Sequence, residues 1–377
     1  GTLQSENGLS ITANDLTNKG RLVGIGGAAL DLRGRLVSEG NIISGSSILV
    51  NVGESASVAG VISSNDALSF NAGDFVSIGG ALASVGDLSL TAARVELSGA
   101  LSSGANISVD SANTITAEAG SIIASDGSVT LDANLDAKFL GYLSAAQDID
   151  LSVAGLAELT GQAHSGNNLS VQADNISIGG LAVSNSDILL SASDAVLVSG
   201  ALSAGDRLSV SARSLLQGSQ AQIVSDGLFT IAASDEIRQQ GLISAGAIDF
   251  AARRLVSQGN IVSAGDLAFA VQAGFEQSGT IEASGRASVV ADNIAISGKL
   301  LGLDSVGLTG KSAQFSAQAD LQSGGRLDIV LAESSTLAGN ILSVGAAHIT
   351  GGGDIIQLAE LNGGDRLDIS AQGLFRN

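Results

Sequence analysis

Apolar and polar residues alternate along this chain in short bursts separated by small or turn-forming residues. In residues 86–103, a Gly-Asp turn leads into Leu88-Ser89-Leu90, then Val95-Glu96-Leu97 and, after Gly99, Ala100-Leu101-Ser102. Two-residue alternation sends apolar side chains to one face of a strand and polar ones to the other. The stretch therefore predicts three short strands. One such copy has too little apolar surface to bury alone, so it requires neighbours of the same kind.

The neighbours are present almost from end to end. With Ser89 as marker, equivalent positions fall at Ser10, Asp31, Leu49, Ser69, Ser108, Thr130, Asp150, Ser170, Leu189 and Ser209, then at Thr230, Asp249, Ala268, Ser288, Thr309, Asp328, His348 and Asp368. The marker is polar in all but Leu49, Leu189 and Ala268, and apolar pairs such as Leu68/Phe70, Ile107/Val109 and Leu327/Ile329 flank it. The frame thins at Thr309, where Gly310 takes an apolar slot, and at His348, beside the small Ala347. Copies at a spacing of roughly 20 residues specify a stack.

The predicted fold class is all-β: a parallel β-helix of about 18–19 coils, with three short strands per coil. A sandwich carries no fixed phase of this length. A propeller repeats at about twice the spacing with aromatic signatures, and the leucine-rich frame does not recur. Residues 1–377 read as a single array without an internal domain boundary. Residues 1–64 look least regular, and residues 298–323 are expected to slip phase where Leu300, Leu301 and Leu303 crowd together. Gln217, Gln258 and Gln277 recur before Gly or Ser-Gly, where stacked amides are expected to bond along the axis.

Composition adds constraints. Pro, Cys, Met and Trp are absent and there are 50 Gly; missing Pro suits a chain that needs nearly every N–H for a ladder bond. With 45% hydrophobic and 14% charged residues, the chain is not disordered by composition. A net charge of −20 disfavours nucleic acid, anionic lipid and heparin-like partners. No apolar run approaches the roughly 20 residues needed to span a bilayer, and no signal peptide opens the chain. The chain starts within a repeat, at Leu9-Ser10-Ile11, and stops just after one, at Gly373-Leu374-Phe375, which reads as an interior fragment.

Candidate chemistry is sparse. Asp328, His348 and Asp368 share one outward phase on consecutive coils, a spacing of about 5 Å that suits proton transfer or weak metal binding; the plainer reading is a solvent-facing polar column. His164 reads as an isolated surface or corner residue. Gly24-Ile25-Gly26-Gly27-Ala28-Ala29 fits a dinucleotide fingerprint, but a repeat strand follows where the motif needs a helix. Gly351-Gly352-Gly353-Asp354 resembles a calcium-binding nonapeptide without its tandem copies. The Gly-Asp turns at Asp87, Asp206, Asp266 and Asp365 form an acidic column for calcium, or turns whose carboxylates bond local N–H groups. An enzyme acting on polysaccharides needs aromatic platforms, yet Tyr142 is the sole Tyr, and Phe70, Phe250 and Phe269 sit at inward phase. No residue is assigned as catalytic, cofactor-binding or metal-ligating, and neither enzymatic activity nor a cofactor is expected.

The frame A-x-x-L-x-N-x-G-x-L stands near the start, from Ala13 through Leu16, Asn18 and Gly20 to Leu22. With the Gly-x-Leu-x-Leu/Ile-x-Ala coils it resembles the haemagglutinin repeats of filamentous haemagglutinin, and the CdiA-type contact-dependent inhibition effectors look similar. Later copies such as Val95-Glu96-Leu97-Ser98-Gly99 keep the Gly without the Asn. The resemblance implies a right-handed parallel β-helix exported through an outer-membrane TpsB-type transporter to the surface of a Gram-negative bacterium. It further implies a monomeric filament that extends an adhesive or toxin-bearing tip toward a receptor on a host or neighbouring cell. A β-helix whose own face binds a surface ligand is the alternative, and a polysaccharide lyase or hydrolase the third.

Overall fold

A computed structural model describes residues 1–377 except Ala359. Among the described residues every regular element is a strand, and the strands pair in parallel as a β-solenoid of about 19 turns of roughly 20 residues. The chain divides into two compact units, residues 1–191 and 192–377.

In the first unit, one coil runs through Leu9–Ala13, Leu16–Asn18 and Arg21–Gly24, and the next through Ala28–Leu32, Leu36–Ser38 and Asn41–Ser44. Each strand pairs in register with its counterpart one coil on. Apolar residues of equal phase therefore stack into internal columns: Leu68, Leu88, Ile107, Val129 and Ile149 on the first face, and Ile62, Leu82, Leu101, Ile123 and Leu143 on the third, all buried. Parallel register explains the sequence pattern directly, because each apolar residue covers its equivalent below and is covered by the one above.

Three separate strands per coil hold at both ends of the chain but not throughout. Leu88–Leu97, Ile107–Ala117 and Leu169–Ile178 each continue across the first two faces. The corner between those faces is a local irregularity, as at Ala92/Arg94, and a bulge bends a strand without ending it. In the second unit, Gln222–Gln239 and Leu242–Ser257 run across all three faces.

Two marker positions need correction. Ser10 pairs with Ala29, and Ala29 with Leu49, so Asp31 lies two residues out of phase. Likewise Ser288 pairs with Gly307, and Gly307 with Asp328, which displaces Thr309. With these corrected, residues 1–64 are among the most regular, and residues 298–323 show no slip: the ladder from Arg286↔Ser305 to Ile296↔Phe315 is free of register shifts. A two-residue error leaves every side chain on its proper face, so alternation alone does not reveal it.

One corner has a steric requirement. A Cβ on Gly40, Gly60, Gly80 or Gly99 would come within 2.0 Å of the carbonyl oxygen of the glycine one coil before. Only glycine permits that backbone approach, which is why Gly recurs there.

In the second unit the interior holds an aromatic stack. Phe229 meets Phe250 edge-on at 5.1 Å, Phe250 stacks on Phe269 at 5.4 Å, and Phe275 closes the group at 5.7 Å from Phe269. All four are buried, so they serve packing and offer no platform to a ligand.

Candidate functional site

Asp328, His348 and Asp368 do stand on consecutive parallel strands, each opposite the next. His348 Nδ1 lies 3.1 Å from Asp368 Oδ2. Two arginines join the group that the column pattern did not reveal: Arg326 Nε is 2.7 Å from Asp328 Oδ2, and Arg366 Nε is 2.7 Å from Asp368 Oδ2. Each arginine sits two residues before its aspartate on the same strand, hence on the same face. That signal was present in the sequence as the repeated Arg-Leu-Asp-Ile. The carboxylates are thus committed to local cations, as in an exposed ion-pair column.

His164 is not isolated. Its ring lies 5.6 Å from that of Tyr142 on the neighbouring strand. Tyr142 is 40% exposed and borders an open groove of about 540 Å³ with Ile122, Gln162 and Leu181, floored by the glycine corner at Gly141 and Gly161.

Of the Gly-Asp turns, Asp87 and Asp266 use their carboxylates between coils, not locally, and four other aspartates do the same. Asp15 Oδ1 accepts the N–H of Arg35, Asp136 Oδ1 that of Leu156, Asp266 Oδ1 that of Arg286 and Asp354 Oδ1 that of Leu374, at 2.7–2.8 Å, with 20 residues between partners. Asp87 and Asp148 cap Asn106 and Asn168 in the same way. Each carboxylate replaces a ladder carbonyl at a corner where the backbone turns away. The residue before the capped N–H is Gly34, Gly155, Gly285 or Gly373, and a Cβ there would lie 2.2–2.4 Å from the aspartate oxygen. In these four caps an Asp is followed 19 residues later by Gly, whereas the capped N–H groups of Asn106 and Asn168 follow Ala105 and Asn167. Asn14 and the Arg35 N–H together hold the Asp15 carboxyl below its ordinary range.

These bonds leave Asp87, Asp136, Asp266 and Asp354 engaged by backbone. Among the described residues no three or more His, Cys, Asp or Glu are grouped so as to hold a metal ion. Asp354 in the Gly-rich run belongs to the same cap series. The dinucleotide-like stretch is a corner leading into strand Ala28–Leu32, with no helix to meet a phosphate.

The polar corner of the second face also differs from expectation. Gln217 and Gln277 are buried, and their Nε2 groups donate to Leu242 O at 2.8 Å and Lys299 O at 3.0 Å, one coil on. Amides clamp backbone there and do not stack on one another. Gln258 stands outside this column; Gln239 and Ser257 fill it, joined by Ser257 Oγ donating to Gln239 Oε1 at 2.9 Å. Exposed Gln240 instead bonds Gln258 at 2.9 Å. In the first unit Asn18, the Asn of the Leu-x-Asn-x-Gly frame, does the same work: its Oδ1 accepts the Gly20 N–H and its Nδ2 reaches Asn41 O.

Charge is unevenly used. Lys138 is the only Lys or Arg between Arg94 and Arg207, and it pairs with Glu158 at 3.3 Å. Asp110 faces Asp132 across the ladder. Burial, then Asp148 and Asp132, push the Asp150 carboxyl above its ordinary range. The second unit pairs its charges along one corner: Arg253 with Asp235 at 2.6 Å and Lys311 with Asp292 at 2.7 Å.

No helix among the described residues is long and apolar enough to cross a membrane. The haemagglutinin-repeat family matches residues 1–53, 47–138, 243–325 and 316–377, well over half the chain. No curated protein and no solved structure matches it.

Proposed function

Because the chain belongs to the haemagglutinin-repeat family, we propose that it is the repeat shaft of a secreted, cell-surface filamentous exoprotein. It acts as a stiff spacer that extends an adhesive or toxin-bearing tip. The observation that carries this reading is the in-register stacking of coils, in which the strands of one turn pair with those of the next. Such repeats add reach in proportion to their number. An adhesin-like stalk fits both the family and the fold. Export through a TpsB-type outer-membrane transporter of a Gram-negative bacterium, as a monomer forming one array over residues 1–377, completes the proposal. The receptor belongs to a host or neighbouring cell.

Small-angle scattering tests the mechanical part. Removing residues 68–87 joins Ala67 to Leu88, the residue that pairs with Leu68, and should shorten the particle by about 4.8 Å at constant cross-section. A particle that shrinks in all directions, or unfolds, contradicts a stacked shaft.

One observation favours a second reading, in which the shaft itself binds. The exposed Tyr142, with His164 against it, borders a groove on an otherwise aromatic-poor surface. Loss of cell binding by Tyr142→Ala in the isolated chain, with folding intact, would select this reading over a passive spacer.

A further inference from the structure

Asn-Gly occurs twice in the sequence, at Asn7-Gly8 and at Asn362-Gly363, and the fold places the two pairs in opposite circumstances. Asn7 is exposed and lies in a bend between strands Thr2–Ser5 and Leu9–Ala13. Neither its side chain nor the N–H of Gly8 has a hydrogen-bond partner among the described residues; the first ladder bond of the following strand is Leu9 N–H to Gly27 O at 2.9 Å. Gly8 has φ +151°, and a Cβ there would meet only the Gly27 carbonyl oxygen, at 3.8 Å, so the backbone at this bend has the freedom that only glycine gives. Asn362, by contrast, lies inside strand Leu361–Gly363, opposite Leu342 in a parallel ladder. There the extended backbone keeps the Asn side chain away from the next nitrogen, and the pair must leave the ladder before the two can meet.

We infer that Asn7 is a self-modification site at which the chain converts an amide to a carboxylate without an enzyme. The Gly8 nitrogen gives up its proton and attacks Asn7 Cγ. The new C–N bond closes a succinimide, and the side-chain nitrogen leaves as ammonia with that proton. Water then opens the ring, breaking one of its two carbonyl–nitrogen bonds. Opening at Cγ leaves aspartate; opening at the main-chain carbonyl leaves isoaspartate, which inserts a methylene into the backbone. No oxidant or reductant takes part.

The position gives the change a structural effect. The Asn7 carbonyl oxygen sits against the next coil, 2.2 Å from where a Cβ on Gly26 would stand. Lengthening the backbone at residue 7 displaces this corner contact, and the added charge falls on a chain that is already strongly acidic.

The test is to incubate the whole chain at mildly alkaline pH, digest it, and follow both Asn-Gly peptides by mass spectrometry and by labelling with an isoaspartyl methyltransferase. In the folded chain the Asn7 peptide should gain the mass of an amide-to-carboxyl exchange and accept the label about tenfold faster than the Asn362 peptide. In strong denaturant the two rates should converge. Asn7→Gln should abolish labelling of its peptide. Equal rates in the folded chain, no conversion at Asn7, a gap that persists in denaturant, or label retained in Asn7→Gln would each overturn the assignment.

Discussion

The carboxylate of Asp266 accepts the main-chain N–H of Arg286, one coil further on, at 2.8 Å. Gly285 makes this possible, since a Cβ there would stand 2.3 Å from the accepting oxygen. Removing the acceptor as Asp266→Ala should cost about 1 kcal/mol, and crowding it as Gly285→Ala about 1–3 kcal/mol. In the Asp266→Ala background the Gly285 substitution should cost distinctly less, because the closest contact has gone and only the backbone contacts at 3.0 Å to Gly265 C and 3.1 Å to Asp266 N remain. Urea midpoints of the four proteins check this; strictly additive costs would mean that the two positions are not coupled.

Glycines at corners and glycines in strands should respond in opposite directions. Gly60→Ala drives a Cβ to 2.0 Å from the Gly40 carbonyl oxygen, and since backbone on both sides is fixed in ladders, a loss of more than about 2 kcal/mol is expected. Gly274 has no atom within 4 Å of its would-be Cβ and no positive φ. Gly274→Ala should be neutral or stabilise by about 0.4–1 kcal/mol through the unfolded chain. Thermal melts of both variants give the comparison.

Phe250 sits between Phe229 and Phe269 and is fully buried. Phe250→Ala should destabilise the second unit by about 3–5 kcal/mol, and Phe250→Leu by less. Hydrogen exchange should place the faster-exchanging amides in the coils containing Phe229, Phe250 and Phe269, with residues 1–100 unaffected, because repeat stability is carried by neighbours.

Two carboxylates predict opposite pH effects. The Asp15 carboxyl is held below its ordinary range by Asn14 and by the Arg35 N–H. Its stabilising contribution is complete above the unfolded-state pKa and is lost as pH falls through the lower folded value. Asp15→Asn should therefore lower stability at neutral pH and make little difference in strong acid. Asp150 is raised by burial and by Asp148 and Asp132. Its charge is a penalty in the fold, complete above the raised folded value and absent below the unfolded one. Asp150→Asn should raise the unfolding midpoint at neutral pH, and that gain should vanish in acid. Melts across pH 2–8 would expose either sign if wrong.

Much of this architecture was legible in the residue pattern. Alternation, the recurring Gly and the absence of Pro specify parallel coils of fixed length, because only a stack covers a strand's apolar face at every turn. Inward Phe70, Phe250 and Phe269 and outward Leu49 and Leu189 stand where their phase put them. The stacking of Asp328, His348 and Asp368 followed from phase as well.

What the pattern could not decide was which residue meets which. Ala29 in place of Asp31, and Gly307 in place of Thr309, differ from the pattern's choice by two residues, and a two-residue shift preserves the face, so only the ladder's hydrogen bonds choose between them. The partners of polar groups were hidden for the same reason. Asp266 reaches Arg286, Gln277 reaches Lys299 and His164 meets Tyr142, each across a coil boundary that separates the pair by about 20 positions in the chain. Local composition sets which face a side chain occupies; the distance between faces of successive coils, which exists only once the chain is wound, sets what that side chain can touch.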